Sequence, residues 1–232
     1  MLQYLLKLIY KQGQKESVLV LALAAVLAIQ PVHAQDRLDA GGATFRDYAR
    51  IDNGASFFKV EGMETGGNAS DLSAAKLLGS DNDKGTARVR FDSIKTEVTL
   101  PMGWQASEDW ERGVAFSQDR RYRLIAWRVD FAFEGVKDAE HYVATKSGSI
   151  QARRPSVQAQ ARKLADGTFM VIYQNVAPGR GDTEQRVVFD VLLTRSPGAK
   201  EGALLTLGVP ASDTEKGLRL MALIKASAKV DW

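Results

Sequence analysis

Residues 122–133, which read YRLIAWRVDFAF, are the stretch that decides the fold. From residue 125 onward the odd positions are apolar: Ile125, Trp127, Val129, Phe131 and Phe133. The even positions include the charged residues Arg128 and Asp130. A period of two kept over this length is typical of a β-strand with one apolar face. We therefore predict a strand over residues 122–133, with Trp127 as packing material on the core side.

Other segments indicate that this strand has several partners. Residues 184–195 alternate in the same way, with Phe189 on the apolar side and Arg186 and Asp190 on the other. Residues 168–176 are apolar at nearly every position, which predicts a central strand covered on both faces. Further strands are predicted over residues 95–100, 114–117 and 203–209. The connections are mostly short turns, so the pairing is expected to be antiparallel.

Two helices are expected to cover this sheet. The first spans residues 138–146 and ends at Gly148. The second is C-terminal and follows Ser212-Asp213-Thr214-Glu215, which has the composition of a capping box. Its apolar stripe is made of Leu220, Met221, Ile224 and Ala228. The predicted fold class is α+β, an antiparallel sheet with helices packed on it.

A family resemblance rests on three consecutive features. Residues 98–104 read VTLPMGW, residues 113–116 read GVAF, and the strand at 122–133 follows. This order resembles the opening of PsbP/Mog1/DcrB-like domains, and the resemblance covers about residues 95–230. It implies an α/β/α sandwich around an antiparallel sheet. Members of that group are mostly non-catalytic accessory or binding proteins, so the resemblance supplies no catalytic residues.

The first 34 residues have the plan of a secretory signal peptide. Lys7, Lys11 and Lys15 precede an uncharged apolar run over residues 18–29, and cleavage is predicted after Ala34. An uncleaved membrane anchor is the alternative. Because export is combined with a complete lack of cysteine, we predict a periplasmic protein without stable membrane insertion after cleavage.

The predicted mature chain has two parts. Residues 35–86 are rich in small and polar residues, and we predict a poorly structured extension there. Within it, a short strand is expected over residues 55–60 and a helix over residues 70–79. Residues 87–232 are expected to form the α+β sandwich domain.

Composition excludes several function classes. Removing residues 1–34 leaves 28 basic and 27 acidic residues, which gives no electrostatic case for nucleic acid. The sequence has no cysteine, and His141 is the one histidine after residue 34. Zinc sites and cysteine nucleophiles are therefore excluded. We expect His141 to be a solvent-facing helix residue. Residues 81–85, DNDKG, are expected to form a solvated turn rather than a calcium loop. The sequence therefore predicts a protein that is not an enzyme and that binds no cofactor and no metal ion.

Candidate contact residues are charged or aromatic. Trp110 is flanked by charges and is expected to be exposed, while Arg120 and Arg121 head a basic cluster. The remaining candidates form cross-strand ion pairs if their strands are neighbours: Arg128 and Asp130 on one strand, Arg186 and Asp190 on another. A solvated sheet face is the alternative for these four residues.

These observations predict an exported, non-catalytic accessory protein that engages a protein of the bacterial envelope. Two alternatives stay open: a carrier of a small amphiphile held between sheet and helix, and a hydrolase that uses carboxylates. The sequence gives no indication of the oligomeric state.

Overall fold

Antiparallel pairing assembles the strand-forming segments into two sheets. The computed structural model describes residues 37–50, 73–179 and 183–232. The strands are β1 (Ser73–Ala74), β2 (Lys76–Asp81), β3 (Thr86–Phe91), β4 (Thr96–Pro101), β5 (Gln105–Glu108), β6 (Arg112–Phe116), β7 (Arg123–Asp130), β8 (Gln158–Lys163), β9 (Phe169–Val176), β10 (Arg186–Leu193), β11 (Glu201–Pro210) and β12 (Lys229–Val230). The helices are α1 (Ala139–Arg153) and α2 (Thr214–Ser227), with short 3₁₀ turns at Phe45–Tyr48 and Ala211–Asp213.

The large sheet has the strand order β1-β5-β6-β7-β11-β10-β9-β8, and the small sheet has the order β12-β4-β3-β2. Each neighbouring pair within the described residues is antiparallel. The architecture is therefore α+β, as the alternating strands and the two helices predicted. No helix within the described residues is both long enough and apolar enough to cross a membrane.

One face of the large sheet is completely covered, and we call it the first face. Its side chains pack on α2 and on the inner side of the small sheet, and they are fully buried; they include Leu124, Ala126, Phe189, Leu205 and Leu207. The apolar stripe of α2 supplies Leu220, Met221 and Ile224, each with an exposed fraction of 0%. This stripe was predicted from the 3.6-residue period and is confirmed.

The second face carries a smaller core beneath α1. That helix packs on β8 and β9, where Val143 meets a cluster that includes Val171, Tyr173, Leu192 and Leu204. Because α1 lies on one face and α2 on the other, the arrangement in this part of the chain is a helix–sheet–helix sandwich.

The segment at residues 37–50 packs on the first core through Leu38, Phe45 and Tyr48. The Arg50 amide donates to the Met102 carbonyl at 3.1 Å. Residues 73–86 belong to strands β1 to β3, so these described parts of the predicted extension are structured. The strand predicted over residues 55–60 lies outside the described residues.

Several predicted elements are corrected by long-range pairing. The described part of the predicted helix at residues 70–79 is β-structure, because β2 pairs with β3 and its backbone groups are satisfied there. The segment predicted to be a central strand, now β9, is second from the edge, although Met170, Val171 and Tyr173 are buried and both of its faces are covered.

Three boundaries differ as well. Strand β7 ends at Asp130, whose Oδ1 accepts from the amides of Ala132 and Phe133 and turns the chain. Helix α1 continues through Gly148 to Arg153, since Ile150 still reaches the core beneath the helix. At the start of α2, Asp213 is the N-cap and makes no side-chain cap bond, so the predicted capping box is absent there.

Candidate functional site

Strands β6 and β7 carry the same five-residue pattern. Both start with arginine, place a β-branched residue third and alanine fourth, and finish with an aromatic ring: residues 112–116 read RGVAF and residues 123–127 read RLIAW. The antiparallel register places Arg112 opposite Trp127, Val114 opposite Ile125, and Phe116 opposite Arg123. The pairing therefore sets a cation against an aromatic ring at both ends of the two strands.

The period of two separates this set from the first core. The intervening residues face the small sheet, and the approach there is close: a Cβ added to Gly113 would stand 2.2 Å from Cγ of Phe91. Glycine at position 113 lets the two sheets meet. The first, third and fifth residues of each pattern consequently stand on the second face.

Both cations lie over their cross-strand rings. The Cζ atom of Arg112 is 5.4 Å from the centroid of Trp127, and that of Arg123 is 5.5 Å from the centroid of Phe116. These side chains are partly exposed. Such contacts contribute about 0.5–1 kcal/mol each at exposed sites, and they hold the arginines in fixed positions. We call this set the arginine–aromatic ladder: Arg112, Val114, Phe116, Arg123, Ile125 and Trp127.

A third arginine approaches the ladder from β10. Arg186 Nη2 donates to the carbonyls of Gly208 at 3.0 Å and of Arg121 at 2.7 Å. Gly208 is the residue of β11 that stands opposite Arg123 in the register. A Cβ at position 208 would be 3.7 Å from Nε of Arg186, so the guanidinium lies over this glycine, beside Arg123.

Arg112 and Arg123 differ in their ionic contacts. Arg112 has Asp109 at 2.8 Å. Within the part of the chain that the structure describes, Arg123 forms no ion pair, and its buried Nε atom has no hydrogen-bond partner. Burial first, and then the charges of Arg112 and Arg186, lower the pKa of Arg123. An arginine nevertheless stays protonated at neutral pH, so Arg123 is a charged group in a partly buried position.

A buried polar network borders the ladder. Asp190 is 3% exposed and accepts from Lys146 Nζ at 2.8 Å and from Thr206 Oγ1 at 2.6 Å. Burial and the charge of Asp190 raise the pKa of Tyr173, whose hydroxyl is 3.3 Å from Oγ of Ser147. The ion pair fastens α1 to the large sheet. The cavity that Val143, Tyr173 and Leu204 line between α1 and this face measures only about 10 Å³.

The candidate contact residues lie in separate places. Trp110 is 80% exposed at the β5–β6 turn, as predicted. Arg120 lies in the turn before β7 with φ +59°, and Arg121 contacts Asp213 at 3.2 Å. Arg128 pairs with Glu201 at 2.9 Å.

The predicted cross-strand ion pairs do not form. Strand β11 lies between β7 and β10, so Arg128 and Asp130 are not neighbours of Arg186 and Asp190. Asp130 caps the turn after β7. Trp127, predicted to be packing material on the core side, packs against the smaller core of the second face and is partly exposed there.

Sequence reasoning missed the ladder as a unit. It included Arg186 for a different pairing and Arg123 only as part of the basic cluster with Arg120 and Arg121. It left out Arg112 and Phe116. The signal that could have found the site is the pattern shared by residues 112–116 and 123–127. When two strands with the same five-residue pattern pair in antiparallel register, the first residue of each strand stands opposite the fifth residue of the other.

Other chemistry-bearing residues are engaged structurally. His141 is exposed, its amide donates to the Asp138 carboxylate at 2.8 Å, and its Nδ1 accepts from the Lys137 amide at 3.4 Å. Residues 81–85 form the β2–β3 turn, where Asp81 pairs with Lys84 at 3.1 Å. The described residues contain no group of three or more His, Cys, Asp or Glu placed to hold a metal ion.

Comparison with known proteins finds similarity at the level of solved structures. The chain is similar to the Ran-binding protein Mog1p of Saccharomyces cerevisiae, with 13% identity, a TM-score of 0.45, and coverage of 62% of this chain and 95% of that one. It is also similar to cyanobacterial PsbP (CyanoP) from Synechocystis sp. PCC 6803, with 15% identity, a TM-score of 0.44, and coverage of 66% and 99%. These are the groups that the sequence resemblance named.

No family model matches the chain. No curated protein matches it either.

Proposed function

We propose that this chain is an exported, non-catalytic binding protein that engages a protein of the bacterial envelope through the arginine–aromatic ladder. The observation that carries the proposal is the ladder itself: two cations and two rings held in fixed positions on a partly exposed sheet face. Its composition supports protein recognition, since arginine and tryptophan are enriched among the residues that dominate binding energy at protein interfaces.

The non-catalytic part of the proposal is supported by how the titratable side chains are used. His141 faces solvent at the start of α1, and Asp190 neutralises Lys146 beneath that helix. Asp130 accepts hydrogen bonds from two turn amides. Each of these groups stabilises a local structure, and the cavity that Asp190 lines measures only about 10 Å³.

A carrier of a small amphiphile is less well supported. The predicted binding space lay between sheet and helix, where the cavity lined by Val143 and Lys146 of α1 measures about 10 Å³. Pockets that bury small ligands have volumes of hundreds of Å³. A surface that recognises a partner accounts better for the exposed, fixed arginines.

Paired variants test the proposed surface. The double substitution Phe116→Ala/Trp127→Ala removes both rings, and Phe133→Ala removes an 89% exposed ring outside the ladder as the matched control. Mild crosslinking in envelope extract, followed by quantitative mass spectrometry, should show at least a tenfold loss of the partner for the double variant. Equal recovery from both proteins, each shown to be folded by circular dichroism, would contradict the proposal.

Export is tested separately. If cleavage follows Ala34, the N-terminal residue of the protein in the periplasmic fraction is Gln35, which intact mass and N-terminal sequencing will show. A membrane-bound species that retains Met1 would instead support the anchored alternative.

A further inference from the structure

A cavity of about 310 Å³ opens at one end of the large sheet, beside the start of α1. Three parts of the chain line it: the first turn of α1, the end of β8 with the turn into β9, and the turn that joins β10 to β11. Pockets that hold small ligands measure roughly 300–1,000 Å³, so this cavity has room for one small molecule. None of its lining residues belongs to the arginine–aromatic ladder. The cavity is therefore a second candidate site, separate from the ladder.

Two cations of this cavity have no counter-charge within the described residues. Lys163 ends β8, and its Nζ lies 5.4 Å from the centroid of the Phe169 ring, which stands opposite it in the β8–β9 register. Arg195 lies exposed in the β10–β11 turn. Neither side chain forms an ion pair in the part of the chain that the structure describes. The ring thus holds one cation at the cavity, and the turn supplies the other.

The carboxylates of the cavity are of two kinds, engaged and free. Asp138 is the N-cap of α1, and its Oδ1 accepts from the His141 amide at 2.8 Å. Asp166 pairs with Lys225 of α2. Glu140, exposed in the first turn of α1, forms no ion pair with any described residue. Free charges of both signs therefore line one cavity without reaching each other.

This charge pattern indicates the chemistry of the ligand. Three carboxylates and two cations line the cavity, so a dianion such as phosphate would meet like charges as well as opposite ones. The tail of an amphiphile would leave these charged groups without polar partners. A molecule with one carboxylate and one ammonium group gives a partner to the free charges of each sign. Ala139, Phe169 and Pro197 offer apolar surface to the rest of such a molecule.

We propose that this cavity binds a small zwitterion of the amino-acid class, whose carboxylate lies between Lys163 and Arg195 and whose ammonium group contacts Glu140. This activity goes beyond the proposed engagement of an envelope protein, and it does not depend on the ladder. A free amino acid and a dipeptide share the chemistry and differ in how far apart their two charges stand.

Isothermal titration calorimetry with L-leucine and two truncated analogues tests the ligand chemistry. Isocaproate lacks the amino group of leucine, and isoamylamine lacks its carboxylate. The purified protein should bind L-leucine at least tenfold more tightly than either analogue, because each analogue leaves one sign of charge in the cavity without a partner. Equal affinity for L-leucine and isocaproate would overturn the assignment of a zwitterion.

Leucyl-leucine distinguishes the two sources of this chemistry. If it binds more tightly than L-leucine, the site takes a dipeptide, and the reverse order assigns a free amino acid. If neither compound binds at millimolar concentration, the proposal is wrong.

Variants of the free charges test their assigned roles. Glu140→Gln should weaken the binding of L-leucine at least tenfold and leave that of isocaproate unchanged, because it removes only the partner of the ammonium group. Arg195→Gln should weaken the binding of both compounds. Glu134→Gln and Arg153→Gln are the matched controls, since both residues are exposed and neither lines the cavity.

Thermal unfolding shows whether these changes act on binding alone. Glu140 and Arg195 are exposed and make no ion pair with a described residue, so their variants should melt close to the temperature of the parent protein. If Glu140→Gln binds L-leucine as tightly as the parent protein does, or if Glu134→Gln weakens the binding equally, the assignment of this cavity is overturned.

Discussion

The two faces of the large sheet differ in what stabilises them. On the first face, Phe189, Leu205 and Leu207 are fully buried under α2 and the small sheet. On the second face, α1 covers the β8–β9 side, and the partly exposed side chains of β6 and β7 place cations on rings. Burial of apolar area holds the first face together, whereas fixed charges organise much of the second.

This difference separates stability from recognition. A face that is sealed by apolar packing contributes folding energy and leaves nothing for a partner to contact. A face whose arginines are held by rings and carbonyl groups contributes less to stability, and it presents polar groups whose positions are already fixed before binding.

Phe189→Ala is expected to show the largest effect. Phe189 is fully buried on the first face, in contact range of Gly217 of α2, and its removal leaves a cavity in the larger core. We expect a loss of about 3–5 kcal/mol in the free energy of unfolding, measured by denaturant titration followed by circular dichroism. Trp127→Ala, on the second face, should cost clearly less, and equal losses would erase the distinction between the faces.

Asp190→Ala tests the buried part of the second face. It removes the partner of Lys146 and of Thr206, and we expect a loss of about 2–3 kcal/mol, discounted because Lys146 keeps 28% of its side-chain surface exposed. Arg128→Ala should cost less than about 1 kcal/mol, since its ion pair with Glu201 is partly exposed. A loss below 1 kcal/mol for Asp190→Ala would show that α1 does not depend on this ion pair.

Two glycines should respond in opposite directions to the same added methyl group. Gly113→Ala places a Cβ 2.2 Å from the Phe91 ring, where the two sheets meet, and should cost about 1–3 kcal/mol. Gly148 lies in α1 with nothing within 4 Å of an added Cβ, so Gly148→Ala should stabilise by about 0.5–1 kcal/mol. Melting temperatures that shift in the same direction would contradict this account.

The smallest expected effect depends on pH. Burial alone would raise the pKa of Asp166, but hydrogen bonds from Lys225 and Thr168 lower it overall and join the β8–β9 turn to α2. A lowered pKa in the folded state stabilises the protein above the unfolded pKa of about 4, and this stabilisation is lost as pH falls further.

Asp166→Asn should therefore cost less than about 1 kcal/mol at pH 7, because the pair is partly exposed. The difference from the parent protein should shrink below pH 4, as measured by denaturant titration at several pH values. If the stability difference between Asp166→Asn and the parent protein grows as pH falls, the pKa of Asp166 is not lowered by folding.

Much of the fold could be predicted from local pattern. The alternation in what became β7 and β10 predicted two long strands, and the stripe of Leu220, Met221 and Ile224 predicted α2. These signals are readable because each side chain repeats the period of its own element. The α+β class and the antiparallel pairing followed from them.

The misses share one cause, which is contact between distant segments. Apolar residues at positions 72, 75 and 78 have helical spacing, but pairing with β3 makes residues 76–81 a strand. The alternation within its strand predicts that Asp190 faces solvent. Asp190 is buried only because α1 packs over it, with Lys146 as its ion-pair partner. A single segment does not encode which faces other segments will cover.

The sequence by itself determined the long strands β7, β9 and β10, the two helices and the apolar stripe of α2, because these depend on neighbours within a few residues. The tertiary structure alone decided the strand order, and so separated Arg128 from Asp190 by placing β11 between their strands. It also decided the candidate site. Two copies of one short pattern become a ladder of cations on rings only when antiparallel pairing fixes which residue stands opposite which.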